Sequence, residues 1–332
     1  MSCLRGALPC CRSASVNEAS AQTSSKTILV TGASGFIGQH LLRTLEASGY
    51  NTVALTRGGQ SGETSRVVTG IDQVNLAEIA CVIHLAGLAH AGAQNASTNT
   101  MHEVNVDASR RLFQQALDAR VPRFVWLSSI KVLGDVAEQP LHIDAPYQPG
   151  DIYAESKMKA ECALLQELND SQKAEYTPLA IVRPPLVYGT GVKANFLSML
   201  RWGSCGWPLP LRHASAPRSW VAVENLVSLL MKLISYHGPQ TIWHVRDEEE
   251  TSVAGMLRRI ASLSNQTDRL FGIPISLLSM AARVVGRTED AQRLLAPLRI
   301  DMDATRQALD WSPPVSQANA MREVVSWYHG RS

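Results

Sequence analysis

From Thr27 onward, short apolar runs rich in β-branched residues alternate with longer stretches of helical period. Thr27-Ile28-Leu29-Val30 is a run of the kind buried on both faces of a parallel sheet. The pattern then predicts a helix from about Phe36 to Ser48, with Gly49 as its stop signal. Asn51 to Leu55 reads as a second strand, Val67-Val68 as a third and Cys81 to Leu85 as a fourth. A helix over Met101 to Ala119, a strand over Arg123 to Leu127, a helix over Tyr153 to Leu168 and a strand over Leu179 to Val182 follow. Strands alternating with helices imply βαβ units and an α/β fold with a doubly wound parallel sheet. After Arg183-Pro184-Pro185 the rhythm changes, and Trp, Pro and Gly become frequent between Trp202 and Trp220. This half predicts a smaller domain. Thr241 to Val245 reads as a strand returning to the sheet, which makes the boundary interleaved.

Composition narrows the partners. The chain has 332 residues, 45% hydrophobic and 18% charged, with a formal net charge of +2. That balance gives no field that points to nucleic acid. No apolar run approaches the roughly 18 residues that span a bilayer, so no membrane span is expected and the protein reads as cytoplasmic. The six cysteines (Cys3, Cys10, Cys11, Cys81, Cys162 and Cys205) form no zinc-spaced block, so no metal site is expected. Cys81 and Cys162 read as free buried thiols. Residues 1–25, rich in Ser, Ala and Cys, read as a disordered tail, with no apolar core of signal-peptide length.

Three features carry chemistry. Thr31-Gly32-Ala33-Ser34-Gly35-Phe36-Ile37-Gly38 places glycines between an apolar strand and an amphipathic helix. Gly32 permits a tight turn, Gly35 lets backbone approach a pyrophosphate, and Gly38 lets helix pack on strand, with the helix N-terminus facing the phosphates. Residues 26–184 thus read as a dinucleotide-binding Rossmann domain and 185–332 mainly as a substrate domain. Where an NAD site places an acid, the chain has Leu55-Thr56-Arg57-Gly58. Arg57 suits a 2′-phosphate, which favours NADP(H) and leaves NAD(H) open. Tyr153 and Lys157 stand at i and i+4 on one helix face, where an ammonium favours tyrosinate and lowers the phenol pKa for proton transfer. Ser129 closes an earlier strand at the edge where such sheets bind ligands, within the logic of a shared substrate oxygen.

These features occur in order with His84-Leu85-Ala86-Gly87, Asn105-Val106, Ser128-Ser129-Ile130-Lys131-Val132-Leu133-Gly134 and Arg183-Pro184-Pro185-Leu186-Val187-Tyr188-Gly189. Together they resemble the extended short-chain dehydrogenase/reductase family, in its nucleotide-sugar epimerase/dehydratase branch. The resemblance implies Tyr153 as acid/base, Lys157 as holder of the nicotinamide ribose and Ser129 as third member of a triad. It implies that Gly32, Gly35, Phe36, Ile37 and Gly38 cradle the dinucleotide and that Ala86 and Gly87 line its path. Asn195 and Arg218 match the segments that contact a sugar-nucleotide diphosphate. A homodimer is implied too, and the apolar positions of Val106 to Leu117 and Met158 to Leu168 would suit its face.

There are departures. Leu133 replaces a frequent tyrosine, and residues 70–80 lack a clear Gly-Asp pair for the adenine. The Asp-Glu of dehydratases is Ile130-Lys131 here, which argues against dehydration. The resemblance therefore leaves two readings for a UDP-linked (amino) sugar. One is a 4-keto-6-deoxy-N-acetylhexosamine reductase, favoured by Arg57, and the other is a UDP-sugar 4-epimerase. A non-catalytic dinucleotide-sensing scaffold would be expected to lose Tyr153 or Lys157, and both are present.

Overall fold

A computed structural model describes residues 27–56, 66–68, 73–88, 98–273 and 295–331. Arg57 and the tail at 1–25 lie outside the described residues, as does part of the 70–80 stretch. In chain order the strands are β1 (Thr27–Thr31), β2 (Asn51–Leu55), β3 (Arg66–Val68), β4 (Cys81–His84), β5 (Phe124–Leu127), β6 (Ala137–Leu141), β7 (Leu179–Arg183), β8 (Leu186–Tyr188), β9 (Trp220–Ala222), β10 (Ile242–His244) and β11 (Leu298–Ile300). The helices are α1 (Phe36–Ala47), α2 (Thr98–His102), α3 (Ala108–Asp118), α4 (Ile152–Asp170), α5 (Ala194–Ser204), α6 (Val223–Ile234), α7 (Val253–Leu263), α8 (Asp303–Leu309) and α9 (Gln317–His329). A π-helical turn at Glu103–Asp107 joins α2 to α3.

Seven strands form one parallel sheet in the order β10-β7-β5-β4-β1-β2-β3. The order reverses between β1 and β4, and in such sheets the crevice beyond the carboxyl ends of the strands at the reversal takes the ligand. The apolar runs read from the sequence are buried throughout β4 and β7, because helices cover both faces. One face packs Ile28, Val30, Ile83 and Val125 against Leu41 and Leu45 of α1 and Leu226 and Leu230 of α6. The other packs Leu29, Val82 and Trp126 against Phe113 of α3 and Leu164 of α4. Val106, Leu112, Ala116, Leu117 and Ala160 join that second cluster, so these five apolar positions pack within the chain.

A third cluster gathers Tyr188, Phe196, Leu200, Trp220, Leu257 and Met321 outside the sheet. The parallel pair β8 with β9 contributes to it, whereas the parallel pair β6 with β11 packs in a separate cluster with Ile130, Val132 and Leu133. The β6–β11 pair was not read from the sequence, because Ala-Glu-Gln-Pro-Leu has neither period 2 nor an apolar run. Phe36 packs against both the first and the third cluster and thereby joins the glycine turn to the outer domain. One thiol differs from expectation: Cys162 is exposed, whereas Cys81 is buried. On α4 the inward face is carried by Ala160, Glu161 and Leu164, and Cys162 falls off it.

A buried ion pair joins α4 to β7. Arg183 donates to Glu161 through Nε (3.0 Å to Oε1) and Nη2 (2.6 Å to Oε2), and both residues are almost fully buried. Tyr147 donates to Oε2 at 2.8 Å, Ser128 donates to Oε1, and Arg183 Nη1 reaches the Ile143 carbonyl at 2.9 Å. The carboxylate is thus saturated with donors, which is what makes a buried charge tolerable. Removing one partner strands the other. Glu161→Ala is predicted to lower unfolding free energy by about 3–5 kcal/mol in urea titration, and a loss below about 1 kcal/mol would contradict this role.

Candidate active site

The glycine turn meets the switch point at the end of β1. Gly32 has φ +69°, and a Cβ there would lie 2.7 Å from the Ala86 nitrogen. A Cβ on Gly38 would lie 2.3 Å from the Gly32 carbonyl oxygen, so helix and strand touch where only glycine fits. Gly35 caps α1 with no side-chain hydrogen bond, which leaves first-turn N–H groups at Phe36, Ile37 and Gly38 for an outside acceptor. Free donors at a positive helix end, reached without side-chain bulk, fit a dinucleotide pyrophosphate. Gly87 lies beside the same path: its Cβ would fall 3.4 Å from Lys157 Nζ and 3.0 Å from Asn105 Oδ1.

A buried polar chain holds this crevice. Ser109 donates its one hydroxyl proton to the Asn105 carbonyl at 2.8 Å, so His84 Nε2 must carry the hydrogen toward Ser109 Oγ at 2.9 Å. His84 Nδ1 then accepts from the Thr31 hydroxyl at 2.5 Å, and Thr31 accepts the Ala86 N–H at 3.2 Å. This requires a neutral imidazole. Burial first, and then the nearby Lys157 charge, push its pKa down to about 3. Asn105, in the π-helical turn, accepts from Leu88 N and donates to the Leu88 carbonyl and Ser156 Oγ.

Ser129, Tyr153 and Lys157 come together at the carboxyl end of β5. Lys157 is buried, donates to the Leu127 carbonyl at 2.8 Å and lies 4.5 Å above the Trp126 ring centroid. Burial pulls its pKa down to about 8, partly offset by Glu161 one turn on. Ser129 is buried and its side chain is hydrogen-bonded to Tyr153. The phenol departs from the sequence expectation, since its pKa is pushed up to about 12 instead of down. Burial is the main cause, the Asp151 charge adds to it, and Ser129 alone opposes. The Lys157 ammonium is turned to Leu127 and Trp126, which explains why it does not stabilise tyrosinate.

The outer residues are less gathered. Asn195 is exposed in the first turn of α5. Arg218 is partly buried, donates to the Ala296 carbonyl at 2.7 Å and feels the Asp135 carboxylate. Sequence reasoning gave no role to Asp151, whose Oδ1 accepts the Ala154 N–H at 2.7 Å and caps α4. An Asp placed just before a helical pattern was the available signal. It likewise gave none to Lys131, Glu161 or His84, of which only Glu161, four residues beyond Lys157, had a helical spacing to betray it.

Lys157 makes a pH prediction. Its folded pKa (about 8) lies below the ordinary 10.5, so between these values the unfolded chain holds more protons and stability rises with pH. In urea titrations, the stability difference between the wild type and Lys157→Met should move in favour of the wild type by on the order of 3 kcal/mol from pH 7 to above pH 10. A pH-independent difference would contradict the buried ammonium.

Comparison with known proteins identifies the family. Residues 28–245 match the model of the NAD dependent epimerase/dehydratase family. A UDP-glucose 4-epimerase of Vibrio cholerae is 32% identical over 314 residues, covering 90% of this chain and 94% of that protein. A GDP-6-deoxy-D-mannose reductase of Pseudomonas aeruginosa is 23% identical, covering 92% and 97% respectively. Among solved structures, the complex of MoeE5 with UDP-glucuronic acid and NAD superposes with a TM-score of 0.75 at 24% identity, covering 92% of this chain and all of that one. Among the described residues no helix is long and apolar enough to cross a membrane. The chain belongs to the NAD dependent epimerase/dehydratase family of nucleotide-sugar enzymes.

Proposed function

We propose that the protein is an NADPH-dependent reductase of a UDP-linked 4-keto-6-deoxy-N-acetylhexosamine. The observation that carries this reading is the end of β2. Leu55 pairs in register with Thr31, which sets the end of β2 beside the strand that enters the glycine turn. In the sequence Thr56 and Arg57 follow, with no carboxylate for a ribose 2′-hydroxyl and a guanidinium whose chemistry suits a 2′-phosphate. The absence of acids at Ile130-Lys131 argues against dehydration in the same way.

The coenzyme, when bound, supplies hydride to a carbonyl carbon. The chain's own residues do the rest. Gly32, Gly35, Phe36, Ile37 and Gly38 bind the pyrophosphate through backbone, and Ala86 and Gly87 leave room beside Lys157. Ser129 and Tyr153 hydrogen-bond the carbonyl oxygen. Tyr153, held as the neutral phenol by burial, is set to give its proton to the oxygen as negative charge develops there. Lys157 holds the coenzyme ribose, and Asn195 and Arg218 hold the diphosphate of the sugar nucleotide.

The 32% identity to a UDP-glucose 4-epimerase favours a second reading, in which hydride is removed from C4 and returned to the other face. Absorbance at 340 nm separates the two. One-way NADPH consumption with UDP-4-keto-6-deoxy-N-acetylglucosamine is expected, whereas conversion of UDP-GlcNAc to UDP-GalNAc without net coenzyme change would sink the reductase. Tyr153→Phe is expected to lower kcat by about 10²–10⁴-fold with coenzyme binding retained. A variant with full turnover would remove Tyr153 from the mechanism.

A further inference from the structure

We propose that Lys131 is a positioning residue: its ammonium, held between Asp151 and Asp135, clasps the turn that carries Ser129 to the first turn of α4 and sets the charge that Tyr153 feels. The inference rests on Ser129 and Tyr153 being the reacting pair. It adds a residue that neither the glycine turn nor the Tyr-Lys spacing suggests.

The geometry begins with Ser129, which caps the short 3₁₀ turn Ile130–Leu133 by accepting the Lys131 N–H at 3.3 Å. The Lys131 side chain leaves that turn and its ammonium meets Asp151 Oδ2. The other oxygen of the same carboxylate caps α4 through the Ala154 N–H at 2.7 Å. One carboxylate therefore joins the element bearing Ser129 to the element bearing Tyr153. A second carboxylate closes the clasp: Asp135 Oδ1 is 3.5 Å from Lys131 Nζ. Gly150 makes room for it, because a Cβ there would lie 2.7 Å from Asp135 Oδ2. The backbone follows, with the Gln148 N–H donating to the Val132 carbonyl at 2.9 Å. All three charged side chains are only 16–17% exposed, so their fields are weakly screened.

Around Tyr153, Asp151 and Lys157 lie on its own helix, Lys131 and Asp135 on the turn after β5, and Arg218 reaches Asp135 from the segment before β9. Behind Lys157, Glu161 is paired with Arg183. Asp151 raises the proton affinity of the phenol, and Lys131 is the cation in contact with that carboxylate. Lys131 thus compensates, at its source, the charge that opposes tyrosinate. A fastening with no electrostatic role would predict weaker packing alone.

The two roles separate in a pH profile of kcat. The profile is read in alcohol oxidation with NADP⁺ and UDP-N-acetyl-6-deoxyglucosamine, where activity rises as the phenol loses its proton. Lys131→Met removes the positive charge beside Asp151 and should move that rising limb up, read at a fixed pH on the limb as a fall in kcat of about tenfold. Asp151→Asn keeps a capping side chain and should move the limb down by a similar amount. The double variant should return near the wild-type limb, and Lys131→Arg should restore it. If UDP-glucose epimerisation is the reaction that turns over, the same shifts are read there. Limbs that stay fixed, or move in one direction in both single variants, overturn the proposal while leaving Tyr153 in place. A limb that persists in Tyr153→Phe overturns the assignment of Tyr153 itself, and the proposal with it.

Discussion

A buried ammonium must spend its hydrogen bonds on whatever the fold offers, and Lys157 is offered the carbonyl at the end of β5. Its bond to Leu127, above the Trp126 ring, fixes the register of α4 against the sheet. Tyr153 then stands one turn nearer the helix start and Ser129 two residues beyond Leu127, so both meet at the same edge. The same helix is held again one turn further on, where Glu161 receives Arg183 from β7. At its start Asp151 receives Lys131. Three charged contacts at successive places along one helix leave little freedom to the phenol between them.

The other half of the crevice depends on contact without side chains. Gly32 and Gly38 let β1, α1 and the segment after β4 approach to distances that any Cβ would block. His84 extends this order inward, since its neutral ring passes hydrogen bonds from Ala86 through Thr31 to Ser109. Phe36 extends it outward into the third cluster, and His40 reaches the Thr190 carbonyl at 2.8 Å. The turn that would hold phosphates is therefore tied to the domain that would hold the sugar.

Much of this was legible in the sequence, for identifiable reasons. Strands buried on both faces read as continuous apolar runs, and β1, β4, β5 and β7 were found that way. Tyr153 and Lys157 were found by helical spacing, and the glycine turn by its place between strand and helix. The contacts that tune the site were not legible. Lys131 and Asp151 are twenty residues apart with no periodic relation, and only the fold brings their charges together. The direction of the Tyr153 shift was misread for a related cause: i,i+4 spacing places Lys157 near the phenol but does not say where its ammonium points. Ala137 to Leu141 gave no strand signal, because its pairing with β11 is set by tertiary contact rather than by propensity.

The central claim is that this edge of the sheet delivers one hydride and one proton to a sugar carbonyl. The most direct measurement follows deuterium from [4-²H]NADPH into the product of UDP-4-keto-6-deoxy-N-acetylglucosamine by mass spectrometry, with labels on both faces of the nicotinamide tested. The account predicts one deuterium at C4 for each coenzyme oxidised, from one face only, and loss of transfer in Tyr153→Phe. Absence of label at C4 while coenzyme is consumed, or undiminished transfer in that variant, would contradict it.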